Sequence, residues 1–173
     1  MKYKLGLVLG RFQLFHFGHE EVIDKALELC DKVLVFIGSA DKSRTIDNPY
    51  TYEERKKLLT EIYGDKIIIK PLNDLGVGNV PAWGQYVLEC ATKALGRPDC
   101  IVFGEESKCY TWFDDETKRN IHFEPIKRSI IDIDGTRLRR ALINNDKNLF
   151  IKYTNPSIHK YYDELRDILI NVK

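Results

Sequence analysis

Four short apolar runs, separated by segments of helical periodicity, are the feature that most constrains the fold of this chain. Each run is nearly continuous in Leu, Val, Ile or Phe, without the alternating polar residues of a half-exposed strand; they lie at 5–9, 32–37, 66–70 and 100–103. A weaker fifth run covers 120–123. Continuous apolar strands between helices indicate a parallel sheet covered on both faces. We therefore predict an α/β fold, a Rossmann-like doubly wound parallel sheet of about five strands with a helical C-terminal segment.

Helical periodicity accounts for the intervals between the strands and for most of the last third of the chain. Apolar residues recur at helical spacing in five segments, at 20–30, 52–63, 82–95, 135–144 and 156–172. No internal repeat and no long linker divides the sequence. We expect one domain over 1–173, with a Rossmann-like core at 1–130 and a helical C-terminal part at 131–173.

Composition and charge argue against several classes of protein. A net charge of +1 over 173 residues argues against a nucleic-acid partner. No apolar run approaches the roughly 20 residues that cross a bilayer, so no membrane partner is expected. The first residues lead directly into a strand pattern, and no signal peptide is expected. The four cysteines lack Cys-x-x-Cys spacing, which favours reduced thiols in a cytoplasmic protein over a disulfide framework or a zinc site.

The segment from Gly10 to His19 has the sequence Gly-Arg-Phe-Gln-Leu-Phe-His-Phe-Gly-His. It joins the first predicted strand to the first predicted helix, where exposed backbone N–H groups and the helix dipole attract anions. His16 and His19 can donate hydrogen bonds to phosphate oxygens, and Gly18 permits close approach of backbone to a ligand. The alternatives are metal ligation, for which no Cys or carboxylate is suitably spaced, and a structural role. The loop is neither a Walker A motif nor a G-x-G-x-x-G motif.

A second motif, Ile-Asp-Gly-Thr-Arg-Leu-Arg-Arg, covers 133–140. Its Gly-Thr pair opens a predicted helix whose first turns carry three arginines. A helix N-terminus with guanidinium groups is a second candidate anion site. The alternative is a solvated basic helix face. The presence of the first motif favours the anion site.

Together the two motifs resemble those of the nucleotidyltransferase superfamily with the (T/H)-x-G-H signature. Within it, the chain is similar to the nicotinamide mononucleotide adenylyltransferases of archaeal type. Further segments also match this family. Those at 37–40, 48–51 and 54–55 resemble its second strand and the following loop, and those at 71–74 and 83–87 resemble its nicotinamide-side segment.

This resemblance implies transfer of AMP from ATP to nicotinamide mononucleotide, which gives NAD and pyrophosphate. It assigns the catalytic role to His16 and His19, which would hold the ATP phosphates, and to Arg139, which would hold the β- and γ-phosphates from the other side. The remaining expected ATP contacts are Gly10, Arg11, Phe12, Gly18, Thr136 and Arg137. The nicotinamide nucleotide would contact Asp74, Trp83 and Asn48. Mg²⁺ would come with the triphosphate rather than occupy a protein metal site, and the family allows for a homo-oligomer.

Two departures from the family pattern carry expectations of their own. Leu14 stands where the family commonly has proline, which relaxes the loop without removing a contact. Asp134 stands where serine is usual, and we expect it to cap the following helix. The segment 76–81 is not a close match. The Glu-containing loop at 104–107 faces the nucleotide without an assigned role, and Trp112 and Phe113 are expected to be packing residues.

Two other functions remain open at the level of sequence. The chain could transfer an adenylyl or cytidylyl group to another phosphomonoester, such as phosphopantetheine. It could also be a non-catalytic module that senses a nucleotide. His16, His19 and Arg139 together favour catalysis, because binding alone does not need both sides of a triphosphate covered.

Overall fold

A five-stranded parallel sheet forms the centre of the protein. The computed structural model describes residues 2–127 and 131–172. The strands are β1 (Tyr3–Gly10), β2 (Cys30–Ile37), β3 (Ile68–Pro71), β4 (Cys100–Gly104) and β5 (His122–Ile126). Every pairing is parallel, and the spatial order is β3-β2-β1-β4-β5. The predicted fold class is confirmed, and the weak fifth run forms the edge strand β5.

Helices cover both faces of this sheet. The α-helices are α1 (Phe17–Leu29), α2 (Tyr52–Tyr63), α3 (Pro81–Ala94), α4 (Asp115–Asn120), α5 (Gly135–Ile143), α6 (Lys147–Tyr153) and α7 (Tyr162–Ile170). Short 3₁₀ segments lie at Gly64–Lys66, Cys109–Trp112 and Pro156–Tyr161.

Adjacent residues of the central strand pack into different cores. Val8 lies in a cluster with Ile23 of α1 and Leu138 of α5. Its neighbour Leu7 lies in a second cluster with Val87 of α3. Successive side chains of a strand point to opposite faces, so a strand buried on both faces needs apolar residues at every position. This explains the continuous apolar runs of the sequence.

The order of the strands reverses between β1 and β4. From β1 the chain moves outward through β2 to β3, and then returns to the other side of β1 to form β4. The connections that leave β1 and β4 therefore diverge and open a crevice at the carboxyl ends of these strands. Ligands of doubly wound sheets bind at such a switch point.

Three local features go beyond the sequence analysis. Asp114 caps α4 by accepting a hydrogen bond from Thr117 N at 2.8 Å, in a segment for which no helix was predicted. Asp146 caps α6 in the same way through Leu149 N at 3.2 Å. The segment expected as one helix at 156–172 is a 3₁₀ turn followed by α7. Helices α4 and α6 are only six and seven residues long, too short for periodicity to identify them.

All four cysteines are free thiols. Cys30, Cys100 and Cys109 are buried, and Cys90 is half-buried. Within 2–127 and 131–172, none of the helices combines the length and the apolar character needed to cross a bilayer.

Candidate active site

The loop between β1 and α1 positions the first motif by capping the helix with histidine. His16 is the N-cap of α1, and its Nδ1 accepts a hydrogen bond from Gly18 N at 3.0 Å. The Nδ1 of His19 accepts one from His16 N at 3.2 Å. Because each Nδ1 accepts, the ring proton of each neutral imidazole lies on Nε2. Both rings are therefore Nε2–H donors at the start of a helix.

The two imidazoles form one stacked unit. Their ring centroids lie 3.8 Å apart with planes at 24°. Phe12 lies edge-on to His19 at 5.0 Å, and Phe15 stacks against the same ring at 5.4 Å. Rings held by capping bonds and by aromatic neighbours lose little further freedom when an anion binds, which is the preorganisation that catalysis by electrostatics requires.

The glycines of the first motif make room for rings of the motif itself. A Cβ at Gly18 would lie 2.9 Å from Cε1 of His16, and a Cβ at Gly10 would lie 2.8 Å from the ring of Phe12. Phe12 adopts a positive φ of 55° and is only 3% exposed. Phe12 thus packs beneath His19, and its expected contact with ATP stays a prediction.

The second motif meets the first through Arg139. This residue of α5 is 8% exposed, and its Nη1 donates a hydrogen bond to the main-chain oxygen of Gln13. Its Nη2 lies 3.4 Å from the hydroxyl of Thr136. A Cβ at Gly135 would lie 3.0 Å from Gln13 O, so glycine lets α5 begin against the histidine loop. The N-termini of α1 and α5 are thereby brought to one loop.

Other residues of the second motif have distinct partners. Asp134 caps α5 by accepting from Arg137 N at 2.7 Å, as the sequence predicted. The guanidinium of Arg137 donates to Asp132 O at 2.7 Å and lies 5.7 Å from the ring of Tyr153. Burial, followed by the positive charge of Arg11, lowers the pKa of Arg139; an arginine nevertheless stays charged at neutral pH.

A cavity of about 510 Å³ opens at the carboxyl ends of the strands. Four of the residues expected to bind substrates line it, namely Gly10, Arg11, Asp74 and Trp83. His16, His19 and Arg139 do not line it, although Arg11, which does, belongs to the same motif as the two histidines. Asn48 does not line it either; its Oδ1 accepts a hydrogen bond from Nη1 of Arg11 at 3.2 Å.

Trp112 packs against the core, as predicted, and it also lines the cavity. Its Nε1 donates to Oδ1 of Asn79 at 2.6 Å. The indoles of Trp83 and Trp112 meet edge to face at 6.0 Å. The contact exists because Gly84 lacks a Cβ, which would overlap the carbonyl of Trp112. Phe113 is 4% exposed and packs as predicted.

Arg55 is a structural residue whose role the sequence analysis missed. It is fully buried on α2 and donates to the main-chain oxygens of Thr51, Arg11, Gly38 and Ser39, at 2.7–3.2 Å. It thus ties the loops after β1 and β2 together. Burial, with a smaller effect of Arg11, lowers the pKa of Arg55 to about 10. The available signal was a charge at an apolar helix position, since Arg55 shares a face with Leu58 and Leu59.

Lys42 and Ser39 also went unassigned in the sequence and line the same cavity. The hydroxyl of Ser39 donates to both carboxylate oxygens of Asp74 at 3.0 Å. The Nζ of Lys42 lies 2.6 Å from Oδ2 of Asp74. Among the described residues, no group of three or more His, Cys, Asp or Glu side chains is arranged to hold a metal ion.

Comparisons with known proteins identify the family of this chain. The family model described as cytidylyltransferase-like matches residues 7–159. The nicotinamide-nucleotide adenylyltransferase of Saccharolobus solfataricus is 38% identical over 167 residues, which cover 93% of this chain and 91% of that protein. The protein of the same name from Aeropyrum pernix is 31% identical over 166 residues, covering 92% of this chain and 90% of that protein.

Solved structures support the fold. A bifunctional NMN adenylyltransferase/ADP ribose pyrophosphatase from Francisella tularensis, complexed with AMP and a manganese ion, has a TM-score of 0.75 and 21% identity. The match covers 98% of this chain and 52% of that one, so this chain spans about half the length of that protein. The two motifs meet at one loop, and a cavity opens at the switch point of the sheet. Together with these relatives, the two features lead to one conclusion. The chain belongs to the cytidylyltransferase-like family and, within it, to the nicotinamide-nucleotide adenylyltransferases.

Proposed function

We propose that this enzyme transfers AMP from ATP to nicotinamide mononucleotide, giving NAD and pyrophosphate. A 5′-phosphate oxygen of the mononucleotide attacks the α-phosphorus of ATP and forms the new P–O bond. The bond from that phosphorus to the α–β bridging oxygen breaks, and pyrophosphate leaves with its electron pair. The observation that carries this proposal is the contact of Arg139 with Gln13 O, because it brings a guanidinium and a second helix N-terminus to the histidine loop.

The histidine loop and α5 supply the groups that would bind the triphosphate. Nε2–H of His16 and of His19 would donate to phosphate oxygens and stabilise the charge that develops on the leaving pyrophosphate. Arg139 would hold the β- and γ-phosphates from the opposite side, with Thr136 and Arg137 at the same helix N-terminus. Gly10, Arg11 and Gly18 would line the path of the nucleotide, and Phe12 would support it from beneath His19.

The reaction does not require a protein nucleophile or a general base. A phosphomonoester is largely a dianion at pH 7, since its second pKa is about 6. Catalysis then consists of in-line alignment and of charge neutralisation on the leaving group. The proposed site would supply both through preorganised donors.

We further propose Mg²⁺ as the ion that accompanies ATP. The cavity offers the single carboxylate of Asp74, already paired with Lys42, so the ion would be bound by triphosphate oxygens. When bound, Mg²⁺ would offset negative charge on the leaving pyrophosphate. The Francisella protein was solved with manganese, another divalent ion.

The cavity would hold the second substrate. Trp83 would stack on the cationic pyridinium ring, Asp74 would contact the ring substituent, and Asn48 would act through Arg11. We place the enzyme in the cytoplasm, acting on small molecules without a nucleic-acid or membrane partner. The family resemblance allows for a homo-oligomer.

A pyrophosphate-release assay tests the proposal. The purified chain is incubated with Mg²⁺, with ATP or CTP, and with a panel of phosphomonoesters that includes nicotinamide mononucleotide and phosphopantetheine. We expect turnover with ATP and nicotinamide mononucleotide, with NAD as the product. Turnover only with another acceptor or with CTP would assign the chain to a different transferase. ATP binding without turnover on the panel would indicate a nucleotide sensor.

A further inference from the structure

The ion pair of Lys42 and Asp74 presents a donor and an acceptor side by side in the cavity. Nζ of Lys42 lies 2.6 Å from Oδ2 of Asp74. Both residues line the same cavity as Trp83, the residue proposed to stack on the substrate ring. The sequence analysis assigned no role to Lys42, and it considered Asp74 alone.

The ends of two neighbouring strands hold this pair in position. Ile37 of β2 pairs with Pro71 of β3, and beyond them Ala40 N donates to Leu72 O at 3.1 Å. Ser39 has a positive φ of 47°, a conformation that side-chain-bearing residues seldom adopt, and its hydroxyl donates to both oxygens of Asp74. Strained backbone of this kind tends to occur at functional sites.

Asp74 is ionised at neutral pH. Burial by itself would raise the pKa of Asp74, but hydrogen bonds from Lys42 and Ser39 and the charges of Lys42 and Arg11 outweigh it and lower the pKa. An ionised carboxylate accepts hydrogen bonds and cannot donate them, whereas an ammonium group only donates. The pair therefore offers the cavity one acceptor and one donor of fixed identity.

The pair is poorly explained as a device for stability. The side chain of Lys42 is 51% exposed and that of Asp74 is 30% exposed. Ion pairs with this exposure contribute little to folding, because water screens them and the side chains lose freedom. Their position on the cavity wall points to a ligand instead.

We propose that Lys42 and Asp74 form a donor–acceptor pair that recognises the ring carboxamide of the nucleotide substrate and disfavours the same nucleotide with a ring carboxylate. The proposal rests on the proposed function and names the substrate class of that site. Lys42 is thereby a specificity-determining residue.

The hydrogen-bonding inventory explains the selection. A primary carboxamide carries N–H donors, which match Asp74, and a carbonyl oxygen, which matches Lys42. A ring carboxylate carries only acceptors, so that one of its oxygens faces Lys42 and the other faces a like charge on Asp74. Sites built around fixed hydrogen-bond partners reject a mismatched analogue, because a substrate that covers the pair leaves its polar groups unpaired or opposed.

Two variants that break the same ion pair should shift the selectivity in opposite directions. We measure kcat/KM for nicotinamide mononucleotide and for its ring-carboxylate analogue, and take the ratio of amide to acid. The wild-type ratio should be about tenfold or more. Asp74→Asn removes the like charge and should lower the ratio about tenfold. Lys42→Met removes a cation that stabilises the bound acid more than the bound amide. This variant should therefore raise the amide-to-acid ratio about threefold or more.

The matched control is Lys57→Met. Lys57 is also an exposed, ion-paired lysine, 3.0 Å from Glu164, and it does not line the cavity. This variant should leave the ratio unchanged. If the pair only held the loop in place, Asp74→Asn and Lys42→Met would shift the ratio alike or leave it constant. If Lys42 bound the substrate phosphate, KM would rise equally for both substrates. Either result would overturn the proposal.

A binding measurement separates failure of this inference from failure of the proposed function. Both tryptophans of the chain, Trp83 and Trp112, line the cavity, so the intrinsic fluorescence reports its occupancy. If the wild type releases no pyrophosphate with either nucleotide, the proposed function is wrong. The ratio of the two fluorescence Kd values then decides the inference. Opposite shifts in Asp74→Asn and Lys42→Met support recognition, whereas parallel shifts or none overturn it.

Discussion

Arg139 of helix α5 donates a hydrogen bond to the main-chain oxygen of Gln13, a residue 126 positions earlier in the chain. The bond joins the start of α5 to the loop that carries both site histidines. In the proposed mechanism this guanidinium has two tasks, since one edge holds the loop and the remaining N–H groups would bind phosphate. Only the planar, five-donor guanidinium can combine them.

We expect Arg139→Lys to reduce kcat about 100-fold, because an ammonium cannot hold Gln13 O and stabilise the leaving pyrophosphate together. The KM for nicotinamide mononucleotide should change little. Steady-state kinetics with both substrates varied provides the check. Arg119→Lys, at an exposed position on α4, is the control. A kcat equal to the wild-type value in Arg139→Lys would contradict the assigned role.

His19→Asn should lower the rate of the chemical step about 100-fold or more, while the Kd for ATP changes less than about threefold. Asparagine keeps an acceptor for His16 N, so the helix cap survives while the Nε2–H donor is lost. Single-turnover kinetics and ATP titration measure the two quantities. His122→Asn, far along the chain in β5, should leave both quantities unchanged. An equal loss in rate and affinity would mean that the imidazole only anchors ATP.

Trp83→Ala should raise the KM for nicotinamide mononucleotide about tenfold, with little change in kcat or in the KM for ATP. The lost contact is that of an indole face with a cationic ring, worth roughly 1–2 kcal/mol when desolvated. Trp83→Phe should recover part of the affinity. Tyr110→Ala, at an exposed aromatic residue outside the cavity, serves as the control. Unchanged kinetics in Trp83→Ala would exclude stacking on this ring.

Arg55→Met should lower the free energy of unfolding by about 3–5 kcal/mol, because the carbonyls of Arg11, Gly38 and Ser39 would lose their buried donor. Methionine keeps a similar length without hydrogen bonds. Urea denaturation of the variant and of an Arg119→Met control measures the loss. A loss of unfolding free energy below about 1 kcal/mol, which is the typical net value of a single hydrogen bond, would show that the loops do not depend on Arg55.

Local sequence patterns were sufficient for most of the sheet and for the two motifs. Continuous apolar runs predicted the parallel strands, because a strand buried on both faces needs apolar residues at each position. The cap at Asp134 was also predictable, since a carboxylate at a helix start bonds backbone N–H groups within three residues. The same local rule applies to Asp114 and Asp146, but the helices that they begin are too short to show a period.

Other features depended on contacts between segments far apart in the chain. Nothing near Trp112 indicates that Gly84 allows its indole to reach the cavity. Likewise, Lys42 and Asp74 meet because β2 and β3 are neighbours in the sheet, 32 positions apart in sequence. A charged residue on an apolar helix face, such as Arg55, indicates a buried structural role. The sequence does not indicate which carbonyl groups accept its hydrogen bonds.

The sequence by itself determined the layers of the fold and the starts of the two helices proposed to bind phosphate, because periodicity and capping act over a few neighbouring residues. Only the tertiary structure decided which of these groups face one another. Three contacts arise where the strand ends converge: that of α5 with the histidine loop, that of Trp83 with Trp112, and that of Lys42 with Asp74. Such convergence is set by the packing of the whole sheet, which no local pattern records.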